Sequence, residues 1–175
     1  MPKLSEFFTT KSLARAGIIA ALYAVVTYAL GPIAFGPLQI RPAEALCVLP
    51  IFFIEAVPGL FIGCALANLI SGYGIYDIVF GSLVTLLAAV LTYFIGRVFK
   101  EKFPSVILGG IPPVLFNAIG IPFIIILVDP AESIAAYWTF FAQMLLTQSV
   151  WVYALGIPLY FAIKSLRSKN VKAFT

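Results

Sequence analysis

Long stretches of this chain contain no charged residue, among them 16–40, 78–96, 103–128 and 133–163. Each is long enough to cross a bilayer core as a helix, which takes about 20 apolar residues. The 175 residues are 62% hydrophobic and 10% charged, with a mean hydropathy of +1.09. Soluble domains carry about a quarter charged residues, so this chain cannot cover a water-facing surface. Its fold class is therefore all-α integral membrane.

The charges orient the spans. Lys3, Lys11 and Arg15 precede the first run, and Arg97, Lys100 and Lys102 follow the run that ends at Gly96. Lys164, Arg167, Lys169 and Lys172 follow the last run. Putting all of these in the cytoplasm leaves Arg41 as the one outer cation among eleven Lys and Arg, as the positive-inside rule prefers. Residues 1–10 are polar and the first apolar run is too long for a signal h-region, so no cleavable signal is expected. The net charge of +4 lies at span ends and is no nucleic-acid signal.

Parity then constrains the middle. The first span runs outward and breaks near Gly31-Pro32, which predicts an outer loop over 33–43. The 78–96 span must start outside to end at Arg97, so residues 43–76 cross an even number of times. Two short arms turning inside at Val57-Pro58-Gly59, or a re-entrant hairpin, satisfy this. Each arm has about 14 residues, or roughly 21 Å as α-helix, against a core of ~30 Å. The prediction is a single membrane domain over 1–175 with six transmembrane helices and both termini cytoplasmic. Approximate spans are 12–31, 43–57, 59–72, 75–97, 104–128 and 133–164.

Polar residues in such a chain are costly and need a partner or a ligand. Topology gathers Gln39, Arg41 and Glu44 on the first outer loop, Tyr73, Tyr76 and Asp77 at the next outer turn, and Asp129 and Glu132 at the last. Asn117, Gln143 and Gln148 lie within spans. Glu44 and Asp77 are the sharpest candidates, because a carboxylate accepts two parallel hydrogen bonds or balances a cation. Each also has a structural alternative: Glu44 as a partner of Arg41, Asp77 as a helix N-cap beside an interfacial Tyr76. Asn117 serves equally as an interhelical hydrogen bond. Tyr137 and Trp138 are either belt aromatics or a wall on which a flat ligand stacks. Trp151 and Tyr153 suit packing, and Glu55 suits a solvated inner turn. The chain has no histidine, which excludes histidine metal sites and general bases. Cys47 and Cys64 sit in apolar runs and read as small buried hydrophobes.

Ala16, Ala20 and Ala24 recur every four positions, as do Gly59, Gly63 and Ala67. Such stripes let helices approach closely, within the chain or on a partner. No constellation of a nucleophile and a base, or of paired carboxylates, points to catalysis. The chain is also small for a transporter working alone, since those are often larger and built of repeat-related halves.

The chain resembles the substrate-binding S components of energy-coupling-factor (ECF) vitamin transporters, and within them the queuosine-precursor (QueT-type) branch. The residues that carry the resemblance are FGPLQIR at 35–41, EAL at 44–46, PGLFIGCALAN at 58–68, GIYDIVFGS at 74–82 and PPVLFN at 112–117. It covers nearly the whole chain. The alanine stripe is weakly specific; the middle segments together are more so.

The resemblance implies a solute site near the outer face, lidded by the first loop. It implies docking through Ala16, Ala20 and Ala24 onto a transmembrane coupling subunit that carries two ATPase subunits. It implies delivery by toppling in a prokaryotic cell membrane, with no cofactor and no enzymatic activity in this chain. The expected solute is a 7-deazaguanine such as preQ0 or preQ1. Glu44 or Asp77 would accept the guanine-edge N–H pair, Asn117 or Gln143 would bond the carbonyl, Tyr76 or Trp138 would stack, and Gln39 and Arg41 complete the candidate site. An aminomethyl solute would suit a second carboxylate. The alternatives are an S component for another vitamin-like solute, or a structural or assembly membrane protein with no ligand.

Overall fold

The computed structural model describes residues 9–36, 38–129 and 134–169. All regular structure among them is helical. The first long helix, α1 (Thr10–Ala29), is capped by Thr9, whose hydroxyl accepts from the Ser12 N–H. It ends where expected, and Pro32 falls in the first turn of the four-residue α2 (Gly31–Ala34), a position proline tolerates.

The chain then enters a ten-residue 3-10 helix, Pro42–Ile51, in which Ala43, Glu44, Ala45, Cys47, Val48, Leu49, Pro50 and Ile51 are all buried. A helix buried all round belongs to the middle of a bundle. This one packs against α1, α3 (Ala56–Ala67), α5 (Ser82–Val98), α6 (Phe103–Gly109), α8 (Ile134–Ala154) and α9 (Gly156–Ser168). The 3-10 form stretches each residue to about 2.0 Å of rise, so ten residues reach roughly 20 Å.

The turn between the short arms lies at residues 52–55, ahead of the expected Val57-Pro58-Gly59. Pro58 is accommodated inside the first turn of α3, and Gly59 is needed for packing. A Cβ on Gly59 would lie 2.8 Å from the Ala16 carbonyl oxygen, and one on Gly63 would lie 2.9 Å from that of Ala20. The two small-residue stripes thus pack on each other. Ala20 and Ala24 are buried by this contact. Of the three alanines expected to dock a coupling subunit, Ala20 and Ala24 are buried against α3 and Ala16 is half-buried, so the stripe packs within the chain.

After a short 3-10 turn at Asn68–Ile70, one apolar helix runs from Gly74 to Val98, made of α4 (Gly74–Tyr76), a π-turn at Asp77–Gly81 and α5. Asp77 is therefore inside a helix and is no N-cap. α6 and α7 (Ile111–Val128) form one 26-residue apolar stretch, and α8 and α9 form another from Ile134 to Ser168. With α1 and Gly74–Val98 these make four helices long and apolar enough to cross a membrane, and Pro42–Ile51 and Ala56–Ile70 are shorter apolar helices.

One end of the bundle gathers the basic groups. The Arg15 guanidinium lies 3.4 Å from Glu55 and sits 4.8 Å from the Phe53 ring centroid. Arg167 lies 5.9 Å from the same centroid and pairs with Glu101, whose carbonyl accepts from Tyr160 Oη at 2.8 Å. The start of α1, the 52–55 turn, the turn after α5 and α9 therefore meet at one end. Glu55, expected to be solvated, is paired there.

Candidate functional site

Toward the other end of the 3-10 helix, a polar cluster is sealed from solvent. Arg41, Glu44 and Asp77 are the three buried charged residues among those described, exposed by 2%, 1% and 1%. Asn68 is fully buried beside them. Arg41 stands before Pro42 with φ −119° and ψ 83°, outside the α region that a following proline disfavours. Gln39 and Arg41 of this loop are both buried. The outer loop expected over 33–43 is thus partly a wall of the interior.

The Arg41 guanidinium has several partners. Its Nε donates to the Ala34 carbonyl at 3.1 Å and its Nη2 to Asn68 Oδ1 at 3.3 Å. It lies 4.6 Å from the Phe35 ring centroid, a cation–π distance. Asp77 Oδ2 is 3.8 Å from Nη2, close enough for charge attraction and too far for a hydrogen bond. Asn68 completes the arrangement: its Nδ2 donates to the Asp77 carbonyl at 2.8 Å. One amide thus joins the side chain of Arg41 to the main chain of Asp77.

The π-turn runs from Asp77 to Gly81, and space decides that its last residue is glycine. A Cβ on Gly81 would lie 2.5 Å from Asp77 Oδ1 and 2.9 Å from Asn68 Nδ2, so glycine makes room for both groups. π-turns inside α-helices recur at functional sites.

Glu44 is held differently. Tyr23 of α1 donates its hydroxyl to Oε1 at 2.6 Å, and Cys47 donates its thiol to Oε2 at 3.2 Å. The Arg41–Glu44 pair considered from sequence does not form; Arg41 goes to Asn68 and Asp77. Cys47 and Cys64 are buried and unpaired with each other, and Cys64 Sγ accepts from Thr85 Oγ1 at 3.3 Å.

Several buried polar atoms have no hydrogen-bond partner among the described residues. They are both amide atoms of Gln39, both carboxylate oxygens of Asp77, Ser82 Oγ and Gln143 Oε1. Gln39 is 1% exposed and holds φ at 41°, in the left-handed region. Buried polar groups are nearly always hydrogen-bonded, so this set calls for an explanation.

Of the remaining candidates, Asn117 donates to Gln148 Oε1 at 3.3 Å, the interhelical bond considered from sequence. Tyr76 and Trp138 lie outside the buried network, exposed by 43% and 62%. Tyr76 stacks on Phe80, and Trp138 meets Tyr137 and Phe141 edge-on. Glu132 lies outside the described residues. Sequence reasoning missed Asn68 and Tyr23 as members of the cluster. Asn68 carried a signal, an amide closing an apolar arm where a polar group is costly.

The sequence family described as QueT transporter matches residues 13–165. A protein of Lactococcus lactis subsp. cremoris named Queuosine precursor transporter QueT is 31% identical over 96 residues. The match takes in 54% of this chain and 56% of that protein, so the chain spans about half the length of the curated relative it matches. No solved structure matches.

Proposed function

The chain belongs to the QueT transporter family, and on that premise we propose that it captures a queuosine precursor, a 7-deazaguanine, in the cluster around Arg41 and Asp77. The observation that carries the proposal is the set of buried polar atoms on Gln39, Asp77 and Gln143 that have no hydrogen-bond partner among the described residues. A 7-deazaguanine brings N–H donors, and in its aminomethyl form an ammonium, and both oxygens of the Asp77 carboxylate are open to such donors among the described residues. The same base carries a carbonyl and ring nitrogens that an amide such as Gln39 or Gln143 can bond. A pocket that is mostly apolar with a few convergent polar groups is the usual form of a small-molecule site.

The chain is proposed to act as the S component of an ECF-type importer in a prokaryotic cell membrane. It would cross six times with both termini cytoplasmic, the two short arms making one outward-opening hairpin. The gathering of Arg15, Arg167 and the turns at one end supports this orientation by the positive-inside rule. ATP would be hydrolysed by two partner ATPases, and the loaded chain would topple against a coupling subunit. Docking would use the edge of α1 that is exposed, where Ala14, Gly17 and Ala21 lie. Small residues there let a partner helix approach closely.

The test is calorimetric titration of the purified chain in lipid nanodiscs with 7-cyano- and 7-aminomethyl-7-deazaguanine, with riboflavin, thiamine and biotin alongside. Submicromolar binding of a deazaguanine, abolished or strongly weakened in Asp77→Asn, is expected. Binding of a vitamin in place of both deazaguanines would assign the chain to another solute and overturn the proposal.

A further inference from the structure

Two carboxylates are buried in this region, one in the proposed solute site and one in the scaffold beside it. Both oxygens of Glu44 already receive donors, the Tyr23 hydroxyl from α1 and the Cys47 thiol from the 3-10 helix itself. Glu44 is thereby tied into the scaffold between two elements. Asp77 receives no hydrogen bond on either oxygen from the described residues, and its nearest cation stands at 3.8 Å. That cation is shared: Arg41 gives its hydrogen bonds to neutral acceptors, the Ala34 carbonyl and the Asn68 amide.

Charge gives a second, independent argument. One guanidinium is buried with two carboxylates, so at their formal charges one negative charge is left uncompensated in the interior. An unpaired buried charge is costly, and groups of low dielectric exposure feel each other strongly. A neutral solute would satisfy the hydrogen-bonding capacity of Asp77 and leave that charge in place. A primary ammonium supplies three donors and the missing positive charge together. Charge-assisted hydrogen bonds are also roughly twice as strong as neutral ones. The amide of Gln39, two residues before Arg41 and without a partner among the described residues, can donate and accept, which suits the polar edge of a flat base.

We infer that this site selects a cationic solute, a flat heterocycle bearing a primary ammonium, over its neutral counterpart, and that Asp77, not Glu44, is the residue that reads the charge. The inference rests on the proposal that the solute is a 7-deazaguanine, and the two fail differently. It concerns selectivity between two solutes that differ in the substituent at one ring position, an aminomethyl group against a nitrile.

The experiment compares the dissociation constants of the aminomethyl and cyano bases for the wild-type chain, Asp77→Asn and Glu44→Gln, each shown to be folded by its thermal unfolding transition. The expected result is a preference of about tenfold or more for the aminomethyl base in the wild type. Asp77→Asn should bring the ratio near one, and Glu44→Gln should leave it intact while lowering the unfolding temperature. Equal affinity in the wild type, or a preference for the nitrile, overturns the inference while leaving the deazaguanine proposal standing. A preference kept in Asp77→Asn overturns the role of Asp77. The wild-type comparison decides the matter of charge even where a variant fails to fold. Binding of neither base sinks the underlying proposal, and the inference falls with it.

Discussion

Tyr23 and Glu44 meet across 2.6 Å, hydroxyl to carboxylate, with the tyrosine fully buried and the glutamate 1% exposed. The bond joins the first long helix to the central 3-10 helix, and a buried carboxylate that loses a donor keeps its desolvation cost. Tyr23→Phe is expected to lower stability by about 1.5–3 kcal/mol, the range for hydrogen bonds to charged groups. Denaturation in detergent micelles would measure it. The ratio of affinities for cationic and neutral solutes should not move. An unchanged unfolding transition would mean that the bond does not hold α1 in place.

The contact between α1 and α3 depends on two missing side chains. Gly63→Ala would put a Cβ 2.9 Å from the Ala20 carbonyl oxygen and from Tyr23 Cβ, where the backbone cannot yield. A loss of about 1–3 kcal/mol is expected from such overpacking. Gly17→Ala is the control, because nothing lies within 4 Å of its added Cβ. It should be neutral or stabilising by about 0.5–1 kcal/mol through reduced helix entropy. Equal effects at the two glycines would contradict the packing described here.

Gly81 and Asn68 should govern solute affinity without touching solute. Gly81→Ala would bring a Cβ to 2.5 Å from Asp77 Oδ1 and so displace the carboxylate. Asn68→Ala would release both the Arg41 guanidinium and the Asp77 carbonyl. Each variant is expected to weaken deazaguanine binding by about tenfold or more, equivalent to about 1.4 kcal/mol. Titration of folded protein in nanodiscs would check this, and undiminished affinity in both would show that the Asp77 geometry is unimportant to binding.

Docking on a coupling subunit can be separated from internal packing at neighbouring positions of one helix. Ala20→Trp is expected to destabilise the chain itself, since Ala20 is 5% exposed and pressed on Gly63. Ala21→Trp lies on the exposed edge and should leave unfolding and solute binding unchanged. Co-purification with coupling and ATPase subunits should be lost in Ala21→Trp under the proposed mechanism. Retained assembly would move the docking surface elsewhere.

How much of this was legible beforehand follows from the range of each interaction. The long apolar runs, the break at Gly31-Pro32, and the clustering of Lys and Arg at span ends are properties of contiguous residues, and the helices follow them. The short arms were legible as short and apolar, and their need to pair followed from parity alone. The 3-10 form of Pro42–Ile51 was not, because it answers to six surrounding elements and to Pro50 within it. The alanine and glycine stripes were both visible at a four-residue spacing. Nothing in the spacing says whether a stripe faces its own chain or another.

The sequence by itself determined a helical membrane protein and the family it belongs to, and it named Arg41, Glu44 and Asp77 as the polar residues that need an explanation. Only the tertiary structure decided that Arg41 turns to Asn68 and Asp77, that Tyr23 and Cys47 occupy Glu44, and that Asp77 receives no hydrogen bond from any described residue. Hydropathy and charge act on the chain through the bilayer, residue by residue. Hydrogen bonds and ion pairs act over about 3–4 Å between side chains distant in sequence, so their pairing exists only once the helices have packed.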